Sequence, residues 1–229
     1  MRRRVGGMNS LRIKICGVTR PSDVEAANRY GADAIGLNFY PPSPRYLEPR
    51  AAANIVRVAS PLMSTVGVFV HQPLRQAYAM AYQLGLRGVQ CYPTGDERLD
   101  PFPFALILAY RIREASHLEA IRADLVACRE AGYLPGAILI DAHVDGQIGG
   151  TGVRAPWELL VGFDAGVPLI LAGGLTPDNV GDAVRMVQPA GVDVASGVES
   201  APGHKDPIKV RDFIDHARSA AKSRFSAPA

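Results

Sequence analysis

The sequence predicts an α/β protein, a single-domain (β/α)8 TIM barrel, on three observations. Eight short apolar or alternating segments each precede a stretch of helical composition or a loop, in one unbroken alternation. No linker or shift in composition divides the chain, whose 229 residues suit one compact barrel. The first strand also carries a polar face, Arg12, Lys14 and Cys16, which suits a barrel interior better than the edge of a doubly wound open sheet, the alternative architecture.

Leu11 to Cys16 alternates, with Ile13 and Ile15 on the other side, and ends at Gly17. Pro21 to Tyr30 reads as a helix, with Pro21 at its first position and Gly31 as its stop. Asp33 to Phe39 is the second strand, followed by the proline-rich loop YPPSPRYL. Helix Pro49 to Ala59, strand Ser64 to Val70 and helix Pro73 to Leu84 come next. The fourth strand, Arg87 to Tyr92, leads into PTGDE and leaves room only for a short helix before the fifth strand, Ala105 to Arg111. Ala115 to Ala131 is an amphipathic helix stopped by Gly132, and Ala137 to Asp141 is the sixth strand. Helix Pro156 to Phe163, strand Pro168 to Ala172, helix Pro177 to Val187, strand Val192 to Ser196 and helix Pro207 to Lys222 complete the chain. The barrel is thus expected over residues 11–222, between a disordered basic tail, 1–10, and a flexible C-terminal tail, 223–229. Met8 is an alternative start to Met1.

Apolar residues at 48% and charged residues at 21% argue against disorder and against a membrane-embedded body. The net charge of +3 comes partly from Arg2, Arg3 and Arg4, so the body is near neutral and offers no nucleic-acid surface. No apolar run is long enough to span a bilayer, and the N-terminus is not a secretory signal. Cys16, Cys91 and Cys128 have no metal-ligand spacing and read as free thiols in a reducing, cytoplasmic setting. Neither a metal cluster nor a dinucleotide fingerprint is present, so no cofactor is expected. A monomer and a homodimer both remain open.

In a barrel the carboxyl ends of the strands share one mouth, where ligands collect. Asp141 ends the sixth strand above Ala137 and Leu139, before a glycine-rich loop running to Gly152. It reads either as a turn cap or as an acid at that mouth. Cys16, ending the first strand, is either an inert small hydrophobe or a base. A neighbouring cation would lower its thiol from about 8.5. An acid holding its proton and a base able to take one are the recurring pattern of proton-transfer sites. Lys14 and Asp193 lie on inward faces of strands that adjoin when the barrel closes, which predicts a buried ion pair. Asp193 is also a candidate for placing a substrate. After the seventh and eighth strands, AGGLTPDNV and ASGVESAPG offer Gly173, Gly174, Ser196 and Gly197 as a backbone phosphate site, with Thr176 as a helix N-cap. His71, His117, His143, His204 and His216 are scattered, and only His143 falls near the mouth, as a loop residue.

KICGVT, GADAIGLNFYPPSPRYL, VGVFV, GTG after the sixth strand, LAGGLTPDNV and GVDVASGVESAPGHKD together resemble the phosphoribosylanthranilate isomerase family of tryptophan biosynthesis. The resemblance runs from Leu11 to about Phe213. It implies a cofactor-independent Amadori rearrangement of N-(5-phosphoribosyl)anthranilate, an aminoaldose, to the aminoketose 1-(2-carboxyphenylamino)-1-deoxyribulose 5-phosphate. By resemblance Asp141 is the general acid on the ribose ring oxygen, Cys16 the general base at C2′, and Arg45 the partner of the anthranilate carboxylate. The implied partner is thus a small phosphorylated substrate.

Two departures stand out. The family's fourth strand usually ends in Gln-Leu-His-Gly; here it reads VQCYPTGDE. Gln90 is kept, Tyr92 stands where His is usual, and Pro93 and Thr94 look inserted. Tyr92 can donate a hydrogen bond or stack on an aromatic ring but cannot carry protons near neutrality. Asn38 is more polar than is usual at its position. The alternatives are a divergent barrel acting on another sugar phosphate, which Cys16 speaks against, and a non-catalytic barrel that keeps only the phosphate site.

Overall fold

The computed structural model describes residues 10–92, 105–132, 134–141 and 157–222. Eight parallel strands close into a barrel: β1 (Arg12–Cys16), β2 (Ala34–Asn38), β3 (Ser64–Phe69), β4 (Gly88–Cys91), β5 (Ala105–Arg111), β6 (Ala137–Asp141), β7 (Leu169–Ala172) and β8 (Gly191–Val194). Each pairs with the next, and β8 pairs with β1 to shut the ring. Helices α1 (Pro21–Tyr30), α2 (Pro49–Val58), α3 (Leu74–Leu84), α4 (Ser116–Glu130), α5 (Val180–Val187) and α6 (Pro207–Lys222) surround it.

Period-2 alternation sorts the strand side chains into two layers. Ile13, Ile15, Ile35, Leu37, Val89, Leu108, Ile138, Ile140 and Leu171 face outward and form one continuous core with the helices. Inside the barrel, Ala109, Leu139 and Ala172 form a small apolar plug, with Ile107, Ile170 and Tyr92 packed against it. The expected split of the sixth strand, with Leu139 inward and Ile138 and Ile140 outward, is what the two clusters show.

Helix starts and stops follow local chemistry. In α1, Pro21 occupies the first turn, and Gly31 closes the helix at φ 81°, a left-handed angle that glycine adopts without strain. The buried Asp23 carboxylate accepts from the backbone N–H of Thr19 and Arg20 and from the Arg20 guanidinium, which orders the loop after β1. Helix α6 buries Val210, Phe213, Ile214 and Ala217 and packs on α1 and α5, completing the outer ring.

Three expectations need correction. Where Pro156 to Phe163 was expected as a helix, the described part is one 3-10 turn, Trp157–Leu160, halted by a left-handed Gly162 at φ 73°. The helix expected from Pro177 becomes regular only at Val180, because the Asn179 side chain reaches back to the Thr176 N–H and the Gly174 carbonyl; Thr176 is not the side-chain cap. The eighth strand stops at Val194, and Ser196 belongs to a 3-10 turn, Ser196–Val198. That turn leads into a feature the sequence analysis did not anticipate, a small antiparallel ribbon of β9 (Glu199–Ala201) and β10 (His204–Lys205). The short fourth helix, the Pro93-Thr94 insertion, the glycine-rich loop to Gly152, His143 and both tails lie outside the described residues. Among the described residues no helix is long and apolar enough to cross a membrane.

The barrel closes on charge. Lys14 and Asp193 are register partners across β1 and β8, and Lys14 Nζ donates to Asp193 Oδ1 at 2.8 Å with both residues buried. This is the seam ion pair that the inward faces predicted. Removing one member of such a pair strands an uncompensated charge at a cost of about 3–5 kcal/mol, whereas replacing both is far milder. Lys14→Met should therefore lower the urea-unfolding free energy by about 3 kcal/mol, and Lys14→Met/Asp193→Leu should recover most of that loss.

Candidate active site

The mouth is built from strand ends. Cys16 terminates β1 directly above Lys14, and both lean over β2, where residue 36 is glycine. A methyl group at Gly36 would sit 2.8 Å from Cys16 Sγ and 3.0 Å from Lys14 Nζ. A glycine interrupting an otherwise apolar strand often marks such a close approach. Lys14, held by Asp193, has its ammonium group beside the Cys16 sulfur.

The thiol differs from expectation. Burial pushes the Cys16 pKa up, and the Asp193 carboxylate adds to this; the Lys14 and Lys205 ammonium groups oppose it but do not prevail. Cys16 is therefore held as a thiol, not lowered to a thiolate, because desolvation outweighs the two cations. For Lys14 the balance is reversed: burial, the largest single effect, favours the neutral amine, but Asp193 and Cys16 together outweigh it and keep the ammonium form above its ordinary range.

Asp141 terminates β6 beside Arg111 on β5, its register partner. Tyr92, one residue beyond β4, stands next to them. The Arg111 guanidinium lies 5.5 Å from the centre of the Tyr92 ring, and its charge favours the phenolate. Burial raises the Tyr92 pKa first, the Asp141 carboxylate second; Arg111 opposes and Cys16 adds a smaller push. Tyr92 thus feels both Asp141 and Cys16, which brings strands one and six to one mouth. Below it, Gln90 is buried and its Oε1 has no hydrogen-bond partner among the described residues. A buried acceptor left open in this way favours a ligand that donates to it.

The loop after β2 carries Arg45, and Asn38 shapes that loop. Asn38 Oδ1 accepts from the Tyr40 N–H at 2.8 Å and its amide donates to Ser43 Oγ, which in turn accepts from the Arg45 N–H. The unusual polarity of Asn38 therefore has a structural use. Arg45 then crosses Gly17, where a methyl group would fall 2.4 Å from Arg45 Cδ, and ends on Glu199 in a bidentate pair. Glu199 also accepts from Lys205 Nζ at 2.8 Å. Burial alone would raise the Glu199 pKa, but Arg45 and Lys205 together hold its carboxyl below the ordinary value.

On the far side, Gly173 and Gly174 adopt left-handed angles of 89° and 63°, and space beyond Gly174 is open. Gly197 packs so close that a methyl group there would lie 1.9 Å from the Leu175 carbonyl oxygen. Only glycine lets the loop after β8 lie on the loop after β7, so the four residues Gly173, Gly174, Ser196 and Gly197 belong to one backbone surface.

The structure thus gathers the residues picked from sequence at one mouth, and adds Gly36, Arg111, Glu199 and Lys205. Gly36 and Arg111 had local signals, a glycine inside a strand and a period-2 continuation from Ile107 and Ala109. Glu199 and Lys205 had only the Pro202-Gly203 turn between them, a weak hairpin cue. Among the described residues no group of His, Cys, Asp and Glu could hold a metal ion.

Comparison with known proteins gives a consistent answer. Residues 13–216 match the family model described as N-(5'phosphoribosyl)anthranilate (PRA) isomerase. The N-(5'-phosphoribosyl)anthranilate isomerase of Pseudomonas aeruginosa (strain LESB58) is 44% identical over 225 residues, covering 93% of this chain and 97% of the relative. The crystal structure of phosphoribosyl anthranilate isomerase from Thermotoga maritima superposes with a TM-score of 0.78 at 31% identity, over 91% of this chain and 99% of that one. A phosphoribosyl anthranilate isomerase structure in complex with reduced 1-(o-carboxyphenylamino)-1-deoxyribulose 5-phosphate superposes with a TM-score of 0.75, also at 31% identity and with the same coverage.

The electrostatics of the thiol are directly measurable. Alkylation of Cys16 followed by mass spectrometry should show a pH midpoint above the ordinary thiol value of about 8.5. Lys205→Met removes a cation that favours the thiolate, so it should move the midpoint further up.

Proposed function

The chain belongs to the N-(5'-phosphoribosyl)anthranilate isomerase family, and from that premise we propose that it catalyses the Amadori rearrangement of N-(5-phosphoribosyl)anthranilate in tryptophan biosynthesis, with Cys16 as base and Asp141 as acid. The observation that carries this reading is that Cys16 and Asp141 end strands of one closed parallel barrel at the same mouth, above an apolar plug and at the same end as the left-handed glycines that follow β7.

The substrate phosphate docks on the N–H groups of Gly173, Gly174, Ser196 and Gly197. Arg45 receives the anthranilate carboxylate, since its fork matches that planar group. The ribose lies between, within reach of both strand ends. Asp141 protonates the ring oxygen; the C1′–O bond breaks as the anthranilate nitrogen supplies its electron pair, leaving a protonated Schiff base. Cys16 then removes the proton from C2′. The C–H electrons form the C1′–C2′ double bond, the iminium electrons return to nitrogen, and the enolamine tautomerises to the ketone. No electron leaves the substrate, so the chemistry needs only a proton donor and a proton acceptor.

Lys14 and Lys205 matter at the second step. They favour the thiolate that takes the proton, while burial keeps the resting group neutral. Asp193, anchored by Lys14, and the open Gln90 acceptor are the polar groups that suit the ribose hydroxyl and amine donors. Tyr92 replaces a residue that could titrate with one that stacks, and Arg111 holds its ring.

Turnover of N-(5-phosphoribosyl)anthranilate, followed by loss of its fluorescence, tests the assignment. Cys16→Ala and Asp141→Asn should each lower kcat by about 10²- to 10⁴-fold. Wild-type rates within a few-fold in either variant would sink the acid-base reading. In Asp141→Asn, where position 141 no longer titrates, kcat/KM should climb with pH up to at least about 8.5, because the base works deprotonated and burial holds its thiol above the ordinary value. A plateau near neutrality in that variant would point to a different base.

A further inference from the structure

Arg45 has two edges through which a guanidinium can grip a carboxylate. One edge presents Nε and Nη2, the other Nη1 and Nη2. In this structure the inner edge is taken: Nε donates to Glu199 Oε1 and Nη2 to Glu199 Oε2, both at 2.7 Å. The outer edge is left over, and among the described residues Nη1 has no protein acceptor. We propose that Glu199 is a positioning residue for substrate binding, holding the inner edge of Arg45 so that its outer edge faces the substrate carboxylate. This rests on the reading of Arg45 as the carboxylate's partner.

Three features argue that Glu199 orients Arg45 and does not compete with the ligand for it. The first is how firmly Glu199 is held. Its side chain is only 5% exposed, Lys205 Nζ donates to its Oε1 at 2.8 Å, and Lys209 Nζ donates to its backbone carbonyl at 2.8 Å. Lys205 is itself fixed by donation to the Ala195 carbonyl at 3.0 Å. Swinging Glu199 away would break charge-assisted bonds inside a buried site. The second is that Arg45 is held along its whole length. Its N–H is tied to Ser43, its stem lies on Gly17, and its head on Glu199, so the remaining edge has one direction. The third is charge. Arg45 and Lys205 against Glu199 leave a surplus of one positive charge, which one incoming carboxylate neutralises. Without Glu199 the buried Lys205 ammonium and the partly buried Arg45 guanidinium would face each other with no carboxylate between them, and Arg45 would lose its orientation.

The stem of Arg45 crosses the residue that follows Cys16. The same arrangement therefore sets the distance between the carboxylate anchor and the base. The effect of Glu199 should appear in binding of the carboxylate and not in the proton transfer itself.

The test compares two ligands: reduced 1-(o-carboxyphenylamino)-1-deoxyribulose 5-phosphate and its phenylamino counterpart without the carboxyl group. Kd values are measured by calorimetric titration for wild type, Glu199→Gln and Arg45→Met. The expected result is that Glu199→Gln weakens the carboxylated ligand about tenfold and leaves the other within about twofold, with KM for substrate raised and kcat nearly kept. Equal weakening of both ligands would mean that Glu199 only supports the ribbon, and tighter binding of the carboxylated ligand would mean that it competes for Arg45; either overturns the proposal. Arg45→Met separates the two readings. If it leaves the preference for the carboxylated ligand unchanged, the assignment of Arg45 itself falls. If it abolishes the preference while Glu199→Gln does not alter it, only the positioning role falls. Should Glu199→Gln fail to fold, Glu199→Asp keeps the charge but is too short to span both nitrogens, and the same split between ligands is expected of it.

Discussion

The ion pair between Lys14 and Asp193 is the constraint on which the rest of the molecule depends. It joins the first strand to the last, so it exists only when the barrel has closed. Both members are buried, and a lone charge there would be costly, so closure and charge compensation come together. The pair also puts an ammonium group directly under the Cys16 sulfur. A single interaction thus shuts the barrel and helps to set the electrical environment of the thiol.

That environment is balanced between opposing terms. Burial, reinforced by Asp193, favours the neutral thiol; Lys14 and Lys205 favour the thiolate. The result is a thiol that rests protonated with two cations at its side. Gly36 leaves the room this requires, since any side chain there would press on both the sulfur and the ammonium group. The opposite strand ends are built differently. Asp141, Arg111 and Tyr92 form a cluster in which an aromatic ring and a guanidinium stand beside the carboxylate. The thiol and the carboxylate at the two halves of the mouth therefore have separate sets of neighbours.

The ribbon formed by Glu199 and Lys205 ties these parts to the loops. Its first strand reaches Arg45, its second reaches towards Cys16, and its turn at Gly203 touches the loop after β1 through the Thr19 hydroxyl, which donates to the Gly203 carbonyl. The turn between β8 and the ribbon is the same one that leans on the Leu175 carbonyl at Gly197. The glycine loops after β7 and β8, Arg45 and the surroundings of Cys16 are thereby mechanically connected along one short stretch of chain.

The sequence by itself determined what repeats or is local. Alternation at period two separated Ile13 and Ile15 from Lys14 and Cys16, and Leu139 from Ile138 and Ile140. Proline and glycine marked both ends of α1, and the glycine pairs marked the loops after β7 and β8. Even the seam pair was legible, because a closed barrel must bring β1 beside β8. It was weakest where helices are short, so the stretch ending at Phe163 proved to be a single turn and α5 began three residues late. Only the tertiary structure decided who faces whom across the mouth. Arg45 meets Glu199 from 154 residues away, Gly36 lies beneath Cys16, and the thiol is raised where a neighbouring cation suggested lowering. Such facts depend on distances and desolvation summed over elements far apart in the chain, and no local pattern of residue types encodes them.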